Sequence, residues 1–215
     1  WYYTGINEIP ADDEFEDTAF IMYLEFQNIR SISFNTYIQS SKCIGSGMKY
    51  DNGRVLQAKQ LEIYVTEQDW ITIRNNYEWD NLNVVRVYRS DKDYLPRPFL
   101  QYILELYANK TQLKDVAGQE DLYMQSKQYI NSLFGMMVTA LIQADVVFDG
   151  SDWTMKELTA EDVEKKLRKL SDYHDRNKKY FLSYSWGCWV TAYARRNLWE
   201  CIESCDHDVL YCDTD

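Results

Sequence analysis

The order of apolar and polar residues over the first 90 positions predicts a small sheet with one helix. Residues 19–26 and 30–37 are rich in aromatic and β-branched residues and alternate in part with polar ones, as strands do. Residues 54–65 and 82–88 are two further predicted strands. Thr66 and Asp69 then have the spacing of a capping box. Trp70, Ile73 and Tyr77 follow at helical spacing. We therefore expect an α+β unit with an antiparallel sheet.

Two local features of this first segment predict turns and loops at the surface. Gly45, Gly47 and Gly53 lie between predicted strands, where glycine is favoured in turns. Residues 11–17 are dominated by carboxylates. We expect this acidic run to be a solvated surface loop and not a metal site.

Residues 98–140 predict two long helices joined by a short link. Pro98 occupies a position that suits the first turn of a helix. Apolar residues recur at helical spacing on both sides of a pause at residues 117–119. These residues are Phe99, Ile103, Leu106, Tyr107 and Leu113, then Tyr123, Ile130, Leu133 and Met137. The pattern predicts an antiparallel helical hairpin.

The remainder predicts a charged excursion, then a helix and a strand. Residues 144–181 are charged and irregular, apart from a capping box at Thr159 that begins a helix through Leu170. Residues 186–204 carry many apolar side chains, typical of a well-buried helix. Residues 208–215 predict a last strand.

Length, composition and charge exclude several classes of protein. The chain has 215 residues, 46% hydrophobic and 27% charged, so it is too apolar to be disordered and long enough to bury a core. No run of apolar residues reaches the length of a membrane-spanning helix, and no membrane partner is expected. A net charge of −11 argues against a generic nucleic-acid coat, although it allows one local basic cleft.

The chain ends indicate the extent of the protein, and the cysteines indicate its cellular compartment. The sequence begins with Trp1 and shows no signal sequence, and it stops within the predicted last strand. We therefore expect a piece of a longer protein. The five cysteines are an odd number without a Cys-x-x-Cys pair, which predicts reduced thiols and a cytoplasmic location.

One face of the second hairpin helix carries side chains suited to a nucleotide. An ammonium, an amide, an aromatic ring and a gap recur there at helical spacing. The residues are Lys127, Asn131, Phe134 and Gly135. Lys110 and Lys114 are four residues apart, and a hairpin would let Lys114 converge with Lys127 on one polyphosphate. The alternative is a solvated helix face with a packing glycine.

The last residues place two carboxylates on one side of the predicted strand. Side chains alternate along a strand, so Asp213 and Asp215 point to the same face. Two carboxylates held this close repel one another unless a cation lies between them. Mg²⁺ binds through one or two carboxylates together with substrate phosphates. The alternative is an Asp-rich turn at the end of a strand.

Together, the two segments resemble the motifs of family B DNA polymerases. Residues 127–135 are similar to the family's fingers motif, Lys-x3-Asn-Ser-x-Tyr-Gly, and residues 211–215 to its palm motif, Tyr-x-Asp-Thr-Asp-Ser. Supporting matches in the preceding helix are Gly187, Thr191, Ala192 and Arg195. The resemblance covers nearly the whole chain. It is weakest over residues 1–18 and 144–180. The compact layout resembles phage, viral and organellar members, including the protein-primed group.

This resemblance implies nucleotidyl transfer from a dNTP to a primer 3′-hydroxyl by a two-metal mechanism. Asp215 would be the principal ligand of Mg²⁺ or Mn²⁺, with Asp213 secondary. Tyr211 and Thr214 would support the primer terminus.

The same resemblance implies that the helical hairpin binds the incoming nucleotide. Lys127 and Lys114 would hold the triphosphate, and Lys110 is a weaker candidate. Asn131 and Phe134 would line the nucleotide pocket. Gly135 would leave room for the nascent base pair.

The resemblance also implies a domain layout and partners. Residues 1–97 and 181–215 would be parts of the palm, and residues 98–140 the fingers. Residues 141–180 would be a charged insertion, where protein-primed relatives carry an element that helps to encircle DNA and displace a strand. The partners would be primer-template DNA and dNTP, with a terminal priming protein in the protein-primed group.

The sequence departs from the family pattern in two ways. Phe134 replaces the usual tyrosine, and the first palm motif, Asp-x-x-Ser-Leu-Tyr-Pro, does not occur. Because that motif supplies a principal metal-binding aspartate, we expect the isolated chain to be inactive. The alternative is a non-catalytic nucleic-acid-binding or interaction module with a polymerase-like fold, which Phe134 and the charge of −11 favour. A third alternative is another palm-containing nucleotidyltransferase.

Overall fold

The computed structural model describes residues 1–139, 142, 144–176, 183–205 and 208–209. The chain divides into two compact units. Unit 1 consists of Trp1–Pro96 with Trp189–Asp215, and unit 2 consists of Arg97–Cys188. Both contain helices and strands, so the predicted α+β class is confirmed.

Unit 1 is built on an antiparallel sheet to which seven strands of the described residues belong. The strands are β1 (Tyr2–Tyr3), β2 (Thr18–Ser31), β3 (Cys43–Ser46), β4 (Lys49–Asp51), β5 (Arg54–Thr66), β6 (Tyr77–Glu78) and β7 (Asn81–Asp91). The order across the sheet is β1-β7-β2-β5-β3, and β4 pairs with β5 while β6 pairs with β2. The predicted strands at 19–26, 54–65 and 82–88 are confirmed as parts of β2, β5 and β7.

The alternation along the two long central strands separates a buried face of the sheet from a more exposed one. Buried apolar side chains on one face are Phe20, Met22, Leu24 and Phe26 of β2 and Leu61, Ile63 and Val65 of β5. On the opposite face the rings of Tyr23 and Tyr64 stack with centroids 4.5 Å apart, and Tyr64 is exposed. The buried face forms the core, since burial of each large apolar side chain is worth about 1.5–3 kcal/mol.

The predicted strand at 30–37 is wrong beyond Ser31, where β2 ends. The Ser31 hydroxyl donates to the Ser33 carbonyl at 2.7 Å, and the Ser33 hydroxyl donates to the Asn35 carbonyl at 3.1 Å. Serine side chains that bond nearby backbone groups compete with strand pairing. The chain therefore bends after β2 despite its β-branched and aromatic residues.

Gly45 lies inside β3 and not in a turn, which corrects the prediction for this glycine. A Cβ atom at this position would lie 2.3 Å from the carbonyl oxygen of Gln60 on β5. Glycine is therefore required there by close backbone approach. Gly47 and Gly53 do lie in turns, with φ angles of +60° and +73° that favour glycine.

Helix α1 (Glu67–Asn76) begins at the predicted capping box. The Thr66 hydroxyl accepts from the Asp69 backbone N–H at 3.2 Å, and an Asp69 carboxylate oxygen accepts from the Thr66 N–H at 3.2 Å. Trp70 and Ile73 are buried in the same core as Trp199 and Ile202 of helix α5 (Tyr184–Ser204). Both helices thus help to cover the buried face of the sheet.

Fewer side chains of α5 are buried than the sequence predicted. Ala192, Trp199 and Ile202 are buried, but Val190 and Tyr193 are 51% and 42% exposed. Apolar residues lie around much of this helix, whereas only one stripe can face a neighbouring layer. Of the predicted last strand, Asp208 and Val209 are described and are not in a strand; residues 210–215 lie outside the described residues.

Unit 2 contains the predicted helical hairpin, with α2 (Arg97–Gln112) and α3 (Glu120–Met137) packed together. The prediction that residues 144–181 are irregular is wrong for much of the described part of this segment, residues 144–176. Strands β8 (Asp145–Phe148) and β9 (Trp153–Lys156) form a two-stranded sheet, and helix α4 (Ala160–Arg176) follows. The Thr159 capping box is confirmed, and the helix extends beyond the predicted end at Leu170.

The acidic run contains a short 3₁₀ turn at Asp12–Phe15, whose Phe15 side chain is buried in the unit 1 core. Across the described part of the chain, none of the helices is long and apolar enough to cross a bilayer.

Candidate functional site

The predicted metal-binding segment lies outside the described residues. This applies to Asp213 and Asp215 and to the predicted primer-supporting residues Tyr211 and Thr214. The chain just before it is described: Val209 is half-buried against the unit 1 core, and the Asp208 N–H donates to the Cys205 carbonyl at 2.9 Å. Within the described ranges, no three His, Cys, Asp or Glu side chains gather into a metal site.

Helix α3 presents the predicted nucleotide-binding side chains at its surface. Lys127 and Asn131 are one helical turn apart and both exposed. Phe134 is half-buried. Gly135 is exposed, and a Cβ atom built on it would have no heavy atom within 4 Å. Internal packing therefore does not explain this glycine, and the surface above it is open.

The two other predicted lysines lie near the link of the hairpin. Lys110 is in the last turn of α2 and half-buried, whereas Lys114 is exposed in the link after the helix ends at Gln112. Lys127 is about 10 Å along the α3 axis from Glu120, the first residue of that helix. Lys114 and Lys127 thus differ in height along the hairpin, and only flexible lysine side chains would let them share a ligand.

Two of the supporting motif positions have packing roles. A Cβ atom at Gly187 would lie 2.6 Å from Val138 Cγ1 and 3.1 Å from Met137 Cβ, so the glycine allows close approach. Ala192 is completely buried. A larger side chain at either position would require its neighbours to move.

Arg195 lies in a polar cluster of unit 1 that joins α5 to the first turn of α1. Its Nη2 and Nε donate to Asp69 Oδ1 at 2.8 and 3.0 Å. The Tyr37 hydroxyl also donates to Asp69. Burial, together with the Asp69 carboxylate, raises the pKa of the Tyr37 hydroxyl, which therefore stays protonated.

A second carboxylate of α1, Glu67, is completely buried. Its oxygens accept from the Phe20 backbone N–H at 3.0 Å, the Trp189 indole N–H at 2.8 Å and the Gln68 amide at 3.1 Å. The Lys92 ammonium lies 3.1 Å away and supplies the balancing charge. A buried carboxylate is tolerated only when it is paired and hydrogen-bonded in this way.

Sequence reasoning missed this cluster, apart from the capping role of Asp69 and the match at Arg195. The partners from α5, Trp189 and Arg195, lie more than 100 residues from Glu67 and Asp69, and no local pattern relates them. One available signal was Trp189 in an apolar helix, because a buried indole N–H needs an acceptor.

The sequence matches no known family model and no curated protein. Its structure is similar to phi29 DNA polymerase complexed with primer-template DNA, with a TM-score of 0.65 and 14% sequence identity. The similarity covers 97% of this chain and 32% of that chain. The phi29 ternary complex with primer-template DNA and incoming nucleotides gives a TM-score of 0.59 at 15% identity, covering 97% and 33%.

These comparisons show that the chain has a fold like that of part of a DNA polymerase. It spans about a third of the length of the solved polymerases it resembles. The predicted polymerase fold class is thus supported at the level of structure.

Proposed function

We propose that this chain is part of a DNA-directed DNA polymerase of the family B kind, in which the exposed face of α3 binds the incoming dNTP. The observation that carries the proposal is this face itself: Lys127 and Asn131 lie one turn apart in solvent, next to the open surface over Gly135. The polymerase-like fold of the chain supports the same assignment.

Each side chain of this face suits one part of a nucleotide. The Lys127 ammonium is a cation for the triphosphate, and Lys114 on the hairpin link would add a second one. The Phe134 ring offers a surface for sugar or base contact, and the Asn131 amide can both donate and accept. Gly135 keeps the backbone approachable for a base pair.

Asp215 and Asp213 are proposed as the ligands of Mg²⁺ or Mn²⁺, with Asp215 principal. Their carboxylate oxygens are the donors that these hard cations prefer. When bound, the metal would supply charge neutralisation for phosphoryl transfer. The two carboxylates would fix the position of the metal ion. Tyr211 and Thr214 would support the primer strand beside them.

The wider setting follows from the same proposal. The partners would be primer-template DNA and dNTP, with a terminal priming protein if the chain belongs to the protein-primed group. Replication of a phage or viral genome in the host cytoplasm is the setting that fits. Residues 141–180 would be the insertion that helps to encircle DNA.

Nucleotide binding by the 215-residue chain tests the α3 assignment. We expect Lys127→Ala to weaken binding of a Mg²⁺–dATP complex by roughly tenfold, because a charge-assisted contact to phosphate is lost. The measurement is a titration followed by calorimetry or by a fluorescent dATP analogue. Lys169→Ala is the matched control, since Lys169 is an exposed lysine on α4.

Equal affinities for Lys127→Ala, Lys169→Ala and the unchanged chain would show that the α3 face is solvated surface. Binding of DNA without any binding of dATP would favour the non-catalytic binding module instead.

A further inference from the structure

Within unit 2, the first turn of α5 packs against the end of the α2–α3 hairpin that lies opposite the link. The ring of Trp186 lies 5.9 Å from the ring of Phe99 in the first turn of α2. Next to it, a Cβ atom on Gly187 would lie 2.6 Å from Val138 Cγ1 and 3.1 Å from Met137 Cβ at the end of α3. Phe99 and Met137 are 8% and 7% exposed. We call these five residues the hairpin base.

Val138 lies on the same side of α3 as the candidate nucleotide-binding residues. It is four residues beyond Phe134 and seven beyond Asn131, which is the spacing of one helix face. Val138 caps α3, and its N–H still donates to the Phe134 carbonyl at 3.2 Å, as in a helix. The contact with Gly187 therefore borders the candidate nucleotide face at its C-terminal end.

Two hydrogen bonds connect this end of α3 directly to Phe134 and Gly135. One is the bond from the Val138 N–H to the Phe134 carbonyl. In the other, the Thr139 hydroxyl donates to the Gly135 carbonyl at 2.8 Å. By contrast, Lys127 lies about 16 Å from Val138 along the helix axis. A displacement of Val138 would thus act most on the Phe134 ring and the Gly135 backbone, and least on Lys127.

The space between Gly187 and Val138 is too small even for a methyl group. Carbon atoms in ordinary contact are about 3.5–4.0 Å apart, so a methyl group at position 187 would have to push Val138 Cγ1 away by about 1 Å. Valine is branched at Cβ and has few rotamers, so it cannot swing aside as a long side chain could. The Met137 Cβ atom is bonded directly to the backbone. The backbone at the end of α3 would therefore have to move.

We propose that Gly187 is a positioning residue for the nucleotide face of α3, acting through Val138 on Phe134 and Gly135. Because it has no side chain, the α5 backbone lies directly on the last turn of α3 and sets the place of that turn. This inference rests on the proposed function, since it takes Phe134 and Gly135 to contact the sugar and base of a dNTP. Packing alone predicts a loss of stability when Gly187 is replaced, whereas positioning predicts a selective loss of binding.

The test compares two ligands that differ in the part of the face they need. Mg²⁺–dATP carries a base, a sugar and a triphosphate, whereas Mg²⁺–tripolyphosphate carries phosphates alone. We expect Gly187→Ala to weaken binding of Mg²⁺–dATP to the 215-residue chain by about fivefold and to leave binding of Mg²⁺–tripolyphosphate unchanged. Lys127→Ala should weaken binding of both ligands, because its ammonium is assigned to the phosphates. Calorimetric titration measures each affinity.

Three further variants complete the design. Val138→Ala removes the atom nearest to the added methyl group, so Gly187→Ala/Val138→Ala should recover most of the dATP affinity. Ser171→Ala, an exposed position on α4, is the control and should change neither affinity. If Gly187→Ala does not fold, Thr139→Val removes the hydrogen bond to the Gly135 carbonyl without adding a clash. It should show the same selective loss of dATP binding.

The outcomes separate the two proposals. An unchanged dATP affinity in Gly187→Ala, equal weakening of both ligands, or no recovery in the double variant overturns the positioning role and leaves the α3 assignment intact. If Lys127→Ala changes neither affinity, or the chain binds neither ligand, the proposed function fails and the positioning role fails with it. A selective loss of dATP affinity in Gly187→Ala that the double variant recovers, together with weaker binding of both ligands in Lys127→Ala, supports both.

Discussion

Asp12 and Glu67 are carboxylates with opposite exposure, and the difference decides what each contributes. Glu67 is completely buried, so every one of its hydrogen bonds replaces a lost interaction with water. Asp12 forms a bidentate pair with Arg74 at 2.6 and 2.7 Å, but its side chain is 60% exposed. Water competes for that pair, so we expect it to stabilise the fold by no more than about 1 kcal/mol.

The Asp12–Arg74 pair predicts a specific pH dependence. The hydrogen bond from Arg74 holds the pKa of Asp12 below its ordinary value of 3.8. A carboxyl whose pKa is depressed by folding stabilises the fold above its unfolded pKa. That contribution is lost as the pH falls through the lower folded pKa. We expect Arg74→Gln to return the Asp12 pKa toward 3.8, as measured by NMR titration of the side-chain carboxyl carbon.

Asp162 provides the internal control for that titration. Hydrogen bonds from Thr159 lower its pKa, independently of Arg74, so its titration should be the same in both proteins. An Asp12 pKa that does not change in Arg74→Gln would show that the pair does not persist in solution.

Tyr77 shows how one side chain stabilises irregular backbone. Its hydroxyl accepts from the N–H groups of Tyr37 and Ile38, both at 3.1 Å, and donates to the Val55 carbonyl at 2.8 Å. Burial raises the pKa of this hydroxyl to about 12, so it remains a donor at neutral pH. The N–H groups of Tyr37 and Ile38, which lie beyond the end of β2, therefore keep hydrogen-bond partners outside a strand.

At the scale of elements, two capping boxes of the same Thr-x-x-Asp pattern lie in different surroundings. Thr66 and Asp69 at the start of α1 are buried, and Asp69 also binds Arg195. Thr159 at the start of α4 is exposed. The local geometry is alike, with threonine hydroxyl to aspartate carboxylate distances of 2.8 Å in both. Their contributions to stability should differ because only the first is part of a core.

We expect Thr66→Ala to lower the free energy of unfolding of unit 1 by about 1–2 kcal/mol, the usual cost of losing an N-cap. Urea unfolding followed through the near-ultraviolet signal of buried Trp70 and Trp199 measures this. Thr159→Ala should leave that transition unchanged. An unchanged transition in Thr66→Ala would show that the Thr66 box contributes nothing to the stability of unit 1.

At the scale of the whole molecule, the two units differ in how much apolar surface they bury. The unit 1 core has many fully buried side chains, among them Met22, Leu24, Leu61 and Ile73 at 0% exposure. In unit 2, β8 and β9 form a two-stranded sheet of their own, and the rings of Phe148 and Trp153 lie 5.1 Å apart with tilted planes while remaining 51% and 68% exposed. A two-stranded sheet of this kind is marginally stable by itself.

This difference predicts the order of amide exchange. Peptides from β2 and β5 should exchange most slowly, because these strands lie at the centre of the sheet and open only with the core. Peptides from β8 and β9 should exchange fastest among the strands. Hydrogen–deuterium exchange with mass spectrometry measures this order. Protection of β8–β9 equal to that of β2 would indicate that a further contact covers the pair.

The fold and the sequence motifs carry different parts of the functional conclusion. Structural similarity over 97% of the chain supports a polymerase-like fold but, at 14% identity, assigns no residue. The chemistry of Lys127, Asn131 and Asp215 is inferred from residue type and spacing. The two lines are independent, which is why the proposed function rests on both.

Features that depend on neighbouring residues could be predicted from the sequence alone. Period-two alternation predicted β2, β5 and β7, and helical spacing predicted the α2–α3 hairpin, because side-chain direction repeats with the local backbone. The Thr66 and Thr159 capping boxes could be predicted for the same reason, since their hydrogen bonds join residues only three positions apart. The candidate chemistry of Lys127, Asn131, Asp213 and Asp215 also came from local spacing.

Packing in three dimensions sets which of these residues lose contact with water and which distant groups they contact. Glu67 and Asp12 read alike in the sequence, yet one is buried with Trp189 and Lys92 while the other faces solvent. The glycine at position 45 is required by the carbonyl of Gln60 on another strand. The burial of a side chain, and its contacts with residues more than a dozen positions away, depend on how helices and strands pack. A local sequence pattern does not contain that information.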